Sequence, residues 1–132
     1  MAPVPSQTDG ALEDMIGRLY SVVLDCADPA ALAGFYAELL GASVVTDEDD
    51  WVVIVDGDGK RVAFQRSPQH RPPLFPDPTG SQQMHFDIMV NDVAVAERKV
   101  LALGATRLDG EGGDFKVFAD PAGHPFCLVW KT

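Results

Sequence analysis

The chain is a near-repeat of itself, and that constrains its fold more than any other feature. Ser21-Val-Val-Leu-Asp-Cys-Ala-Asp28 in the first half corresponds to His85-Phe-Asp-Ile-Met-Val-Asn-Asp92 in the second. Each is an apolar run that reaches an Asp seven residues after its first member. Each Asp is followed by a stretch of helical spacing ending in Leu-Gly-Ala, at Leu40-Gly41-Ala42 and Leu103-Gly104-Ala105. Two or three further strand-like runs follow in each half. The shift that carries Asp28 onto Asp92 is one residue longer than the shift that carries Gly41 onto Gly104. Self-similarity at a near-fixed period means one structural unit used twice, and a β-α-β-β-β unit accounts for nearly everything from Leu19 to Trp130.

Local signals define the helices. Asp28 is placed to cap the first turn, and Pro29 suits the first helical position, where its missing N–H costs nothing. Leu32, Phe35, Tyr36, Leu39 and Leu40 recur at helical spacing as one apolar stripe. Gly41 supplies a left-handed end. In the second unit Asp92 caps, Val93, Ala96, Val100 and Leu103 form the stripe, and Gly104 terminates. Strands are expected over 19–25, 42–46, 51–56, 61–67, 83–90, 106–109, 115–119 and 126–131. Alternation of side chains along a strand puts Ser21, Val23 and Asp25 on one face, and His85, Asp87 and Met89 on the corresponding one. Val22, Leu24, Phe86 and Ile88 then face the helices.

Between the units, residues 67–82 hold five of the ten prolines, which predicts a stiff, extended bridge. Its apolar Leu74 and Phe75 either plug the sheet or close the mouth of a pocket. Asp56-Gly57-Asp58-Gly59 is expected to be a hairpin turn. A calcium loop of the EF-hand kind would need a longer frame ending in Glu, which is absent. The acidic run Asp47-Glu48-Asp49-Asp50 is expected to be a solvated loop.

Residues 1–14 are polar, Pro-containing and aperiodic, and are expected to be a mobile extension without secretory character. Cys26 and Cys127 stand far apart in the chain and form neither a CxxC nor a zinc spacing. A reduced, cytoplasmic protein is therefore expected. Twenty acidic against ten basic residues give a net charge of −10, which disfavours nucleic acid and anionic membrane as partners. No apolar run is long enough to span a bilayer.

Four positions are set equivalent by the repeat. Ser21 matches His85, and Gln65 matches Cys127, since these two follow Gly41 and Gly104 at distances that differ by one residue. Together with the Phe35-Tyr36…Leu40-Gly41 signature, the His85-Phe86-Asp87 strand and Asp120-Pro-Ala-Gly-His-Pro-Phe-Cys-Leu128, they carry a resemblance. The chain resembles the vicinal oxygen chelate superfamily, that of glyoxalases, bleomycin resistance proteins and dioxygenases, in its glyoxalase-like branch. The resemblance covers the chain from Ile16 to Lys131. It implies an α+β fold in which two tandem βαβββ modules form an open, curved mixed sheet around a central cavity, usually in a homodimer. The expected domain is residues 15–132, with modules at 16–67 and 83–132 and the bridge at 68–82.

The superfamily's metal enzymes place His, Gln or Glu at four positions, matched here by Ser21, Gln65, His85 and Cys127. Only His85 is a usual ligand in place, and Gln65 is a weak one. The Ser21 hydroxyl is neutral, and a Cys127 thiolate would favour zinc or copper(I) over oxygen-loving ions. No cofactor is therefore expected, a divalent metal held by His85 and Gln65 being the alternative. His85 is either a hydrogen-bonded wall residue, paired with Asp87, or a catalytic base. Cys127 is either a small buried side chain or a pocket contact, while His70 and His124 are expected at the surface. The first functional expectation is a cavity that binds a small organic molecule through Ser21, Trp51, Gln65, His85, Asp87, Phe75 and Cys127. The second is a lyase, isomerase or dioxygenase that uses His85 and Asp87 as base, or His85 with a metal.

Overall fold

The computed structural model describes residues 16–74 and 84–131; the expected N-terminal extension lies outside them. The chain divides into two compact units between Pro68 and Gln69. The first contains β1 (Val22–Cys26), α1 (Pro29–Leu40), β2 (Ser43–Glu48), β3 (Trp51–Val55) and β4 (Arg61–Arg66). The second contains β5 (Phe86–Met89), α2 (Val93–Ala102), β6 (Thr106–Glu111), β7 (Phe115–Ala119) and β8 (Pro125–Val129). Each element order is βαβββ, so the expected mixed sheet is realised as two four-stranded mixed sheets, one per unit. Their orders are β1-β4-β3-β2 and β5-β8-β7-β6. In each the first strand runs parallel to the last and the other pairs are antiparallel.

Registers show how close the duplication is. Val22 lies opposite Val62, and Phe86 opposite Phe126, so partners on the parallel pair are separated by the same length of chain in both units. Val53 pairs Ala63 where Val117 pairs Cys127. The shift that carries Asp28 onto Asp92 therefore also relates β1 to β5, β3 to β7 and β4 to β8, residue for residue.

Both helices start as their caps dictate. Asp28 Oδ1 accepts from the Ala31 N–H at 3.2 Å and Asp92 Oδ1 from the Val95 N–H at 3.2 Å, satisfying donors that no helical partner can reach. Gly41 ends α1 at φ 64°. The stripe on α1 buries Leu32, Phe35 and Tyr36, and Tyr36 stacks on Phe64 of β4 with ring centroids 5.7 Å apart. In the second unit Phe118 stacks on Phe126 at the same separation. The α2 stripe is narrower than expected. Val100 is its buried residue, whereas Leu103 is 37% exposed. Leu103 is the C-cap, one step past the last helical residue.

Several expected boundaries shift. Leu19 and Tyr20 precede β1 and are exposed, since pairing begins only where Val22 meets Val62. Asp47 and Glu48 belong to β2 rather than to a loop, paired with Val52 and Trp51. Only Asp49 and Asp50 turn, and Arg66 holds them by donating to the Asp49 carbonyl at 2.9 Å and approaching Asp50 at 3.4 Å. The turn at 56–59 forms as expected, with Asp56 Oδ1 accepting the Asp58 and Lys60 N–H groups, both at 2.9 Å.

In the first half of the bridge one residue, His70, is drawn in while its described neighbours stay exposed. His70 Nε2 lies 2.9 Å from the Ala122 carbonyl and its ring 5.4 Å from that of His124, so both histidines are half-buried. Sequence alone places them at the surface because nothing local shows the strap meeting the turn. Leu74 is 77% exposed and plugs nothing. No helix among the described residues is long and apolar enough to cross a membrane.

Candidate functional site

Residues on β5 and β8 build the site. His85 immediately precedes β5, Asp87 lies two residues on along the same face, and Cys127 on β8 sits directly opposite Asp87. Residues opposed in a parallel pair point to the same side, so the register delivers a carboxylate and a thiol to one spot. The His85 Nε2–Asp87 Oδ1 distance is 3.1 Å, which realises the pairing expected from their spacing. The ligating atoms of His85, Asp87 and Cys127 all lie within 4.8 Å of one another.

Around them opens a cavity of about 550 Å³. Its apolar walls are Met89, Phe115, Val117, Val129 and Trp130, with Asp114 at the rim. Both carboxylates and His85 reach solvent, whereas Cys127 is 7% exposed. Burial pushes the Cys127 thiol up from its ordinary value, and the Asp87 carboxylate pushes it the same way, by its charge and by accepting the S–H. The thiol is thus protonated at neutral pH and is not a ready nucleophile.

The first unit places the remaining candidates separately. Ser21 is half-buried just ahead of β1. Gln65 on β4 is exposed, flanked by Asp25 of β1 and Trp51 of β3. Here the expected equivalence needs correction. By register the counterpart of Cys127 is Ala63, a buried residue without a ligating atom, and the counterpart of Gln65 is Val129. Counting from Gly41 and Gly104 mispairs them because the second unit is one residue shorter up to its helix end and regains that residue before its last two strands. A count that then allows one more residue of slack lands two positions away. Gln65 lies two residues further along the same face, roughly 7 Å at strand rise. Phe75 lies outside the described residues.

The pocket walls Asp114, Phe115, Val117, Val129 and Trp130 escape sequence reasoning. Phe115 had a signal, since it stands to Trp51 as Asp92 stands to Asp28 and is its register counterpart. Trp130 had none: within the strand expected over 126–131 it alternates away from Cys127 and Val129, whereas the strand ends at Val129 and Trp130 joins the lining beyond it.

The metal frame implied by the resemblance can be tested on these donors. Ser21 and Gln65 are neutral, Ala63 offers nothing, and no frame position carries a carboxylate. The frame therefore does not fit an octahedral, oxygen-loving divalent ion.

Comparison with known proteins agrees with this architecture. A family model described as a glyoxalase-like domain matches residues 21–129. No curated protein matches the sequence. Among solved structures, the chain is similar to a glyoxalase-related enzyme from Fulvimarina pelagi, with 21% identity over 86% of this chain and 88% of that one and a TM-score of 0.63. It is also similar to the fosfomycin resistance protein FosX from Listeria monocytogenes, with 16% identity over 89% and 96% and a TM-score of 0.68. A glyoxalase/bleomycin resistance protein/dioxygenase family enzyme from Burkholderia phytofirmans shares 16% identity over 84% and 96% with a TM-score of 0.64. These likenesses concern the fold. With the family model spanning both units from β1 to β8, the chain belongs to the glyoxalase-like domain family.

Proposed function

We propose that this protein binds a small organic molecule in the cavity of its second unit, on a scaffold whose inherited metal frame is degenerate. The observation that carries the reading is the cavity itself: about 550 Å³, lined by five apolar side chains together with His85, Asp87, Asp114 and Cys127. That composition, mostly apolar with few convergent polar groups, is what small-molecule sites share. His85, Asp87 and Cys127 orient the ligand, and Phe115 and Trp130 cover its flat faces. The working form is a homodimer in the cytoplasm, with neither nucleic acid nor membrane as partner.

A melting-temperature screen over metabolites and antibiotics tests the reading, because a ligand that binds only the folded state raises stability by mass action. At a hundredfold excess over Kd the gain is about 2.7 kcal/mol. Hits should be weakened in His85→Ala and in Phe115→Ala. A flat response across the panel would count against the cavity as a binding site.

The 3.1 Å His85–Asp87 contact favours one second reading. A carboxylate that accepts one imidazole N–H fixes the ring and its tautomer and leaves the other nitrogen as a general base, so His85 would take a proton from a bound substrate in a lyase or isomerase reaction; the remaining forms of this reading are a dioxygenase and His85 acting with a divalent metal. Turnover of a screening hit, lost in both His85→Ala and Asp87→Asn, would establish catalysis. Unchanged hit compound after prolonged incubation would leave binding alone.

A further inference from the structure

We propose that His85, Asp87 and Cys127 form a mixed nitrogen–oxygen–sulfur site for a soft divalent cation of the zinc class, held entirely by the second unit. Three chemically different donors converge within 4.8 Å, and two are already 3.1 Å apart. The convergence is written into the sheet. Asp87 and Cys127 are cross-strand partners, and His85 precedes Asp87 by one alternation of the same face.

Zinc–ligand bonds of about 2.0–2.3 Å in tetrahedral geometry require donors roughly 3.3–3.8 Å apart. The longest separation must therefore contract by about 1 Å or slightly more, and the His85–Asp87 pair, at 3.1 Å, must open slightly. The side chains that would move are the mobile ones, since His85 and Asp87 are 37% and 60% exposed. Buried Cys127 is the fixed point. Binding replaces the S–H bond with a sulfur–metal bond and releases one proton to solvent. Three protein donors leave a fourth position toward the cavity, as in sites that exchange a ligand.

This set differs from the frame implied by family resemblance. Asp87 is not a frame position, and Ser21 and Gln65 take no part. A thiolate beside an imidazole selects zinc or cobalt(II) over magnesium, calcium and manganese. The inference shares the cavity with the proposed function but needs no organic ligand. The two can therefore fail separately: if screening hits persist in the presence of chelator, organic binding stands whatever the metal does.

The test uses the full chain, stripped with chelator and titrated with zinc by calorimetry and with cobalt(II) by absorption. Expected are one ion per chain, release of about one proton, and the near-ultraviolet charge-transfer band of a cobalt–thiolate bond. His85→Ala and Asp87→Asn should each weaken zinc at least tenfold, and Cys127→Ser should abolish the band. Melting curves of the apo variants establish that each is folded. Failure of the folded wild type to take up either ion would overturn the proposal, as would uptake without the band. Loss on Ser21→Ala or Gln65→Ala as large as on Asp87→Asn would return the site to the two-unit frame.

Discussion

At the scale of single residues, Cys127 and Asp87 carry the clearest consequence. Folding favours the protonated thiol, since burial and the adjacent carboxylate both raise its pKa. The folded chain keeps that proton where the unfolded chain has released it. The thiol's contribution to stability is therefore complete below the ordinary cysteine value of 9.0 and is lost as pH rises through the folded value. Denaturation of the metal-free protein should show stability falling as pH rises past the ordinary cysteine value of 9.0, with a flatter profile in Cys127→Ala. In Asp87→Asn the fall should be smaller and should end at lower pH, because two of the three causes that raise the folded value are removed. A profile identical in all three proteins would contradict this account. The sequence places His85, Asp87 and Met89 on one face by alternation alone. It does not pair Asp87 with Cys127, because α2 and two further strands intervene and only the β5–β8 register closes that gap.

Among the elements, capping and stacking divide the work. Replacing Asp28 or Asp92 by Ala removes the acceptor for an orphan helical N–H, and each should cost about 1 kcal/mol in chemical denaturation. Phe64→Ala leaves a void beneath Tyr36 and should cost about 3–5 kcal/mol. Val23→Ala, on the exposed face of β1, should stay within about 0.5 kcal/mol. The turn at 120–124 is a sharper case. Buried Asp120 accepts from the N–H groups of Ala122 at 2.9 Å and His124 at 3.0 Å, and Gly123 adopts φ 91°. A Cβ there would lie 2.4 Å from Pro72 Cβ, so strap and turn both require glycine. Gly123→Ala should destabilise by about 1 kcal/mol or more, and the expected readout is a lower denaturation midpoint with an unchanged slope. The glycine is readable as part of a turn, but its contact with Pro72 is not, since the two are far apart in the chain.

For the molecule as a whole, the net charge of −10 predicts passage through a nucleic-acid or heparin column even at low salt; retention there would contradict the expectation. Among the described residues the eight strands, the two helices and their caps were legible in the sequence, because each rests on contacts within a few residues: an Asp before a stripe, a glycine after it, alternation within a run. The duplication itself is likewise visible as self-similarity, and with it the family. What remained open depended on strands that meet across long stretches of chain. The register that makes Ala63 the counterpart of Cys127, the histidine strap, and the His85–Asp87–Cys127 cluster are all of this kind. One residue more or less in a connection leaves local patterns intact yet moves a side chain along the sheet or turns it to the other face. Hydrogen bonding between strands, not spacing along the chain, determines which donors meet.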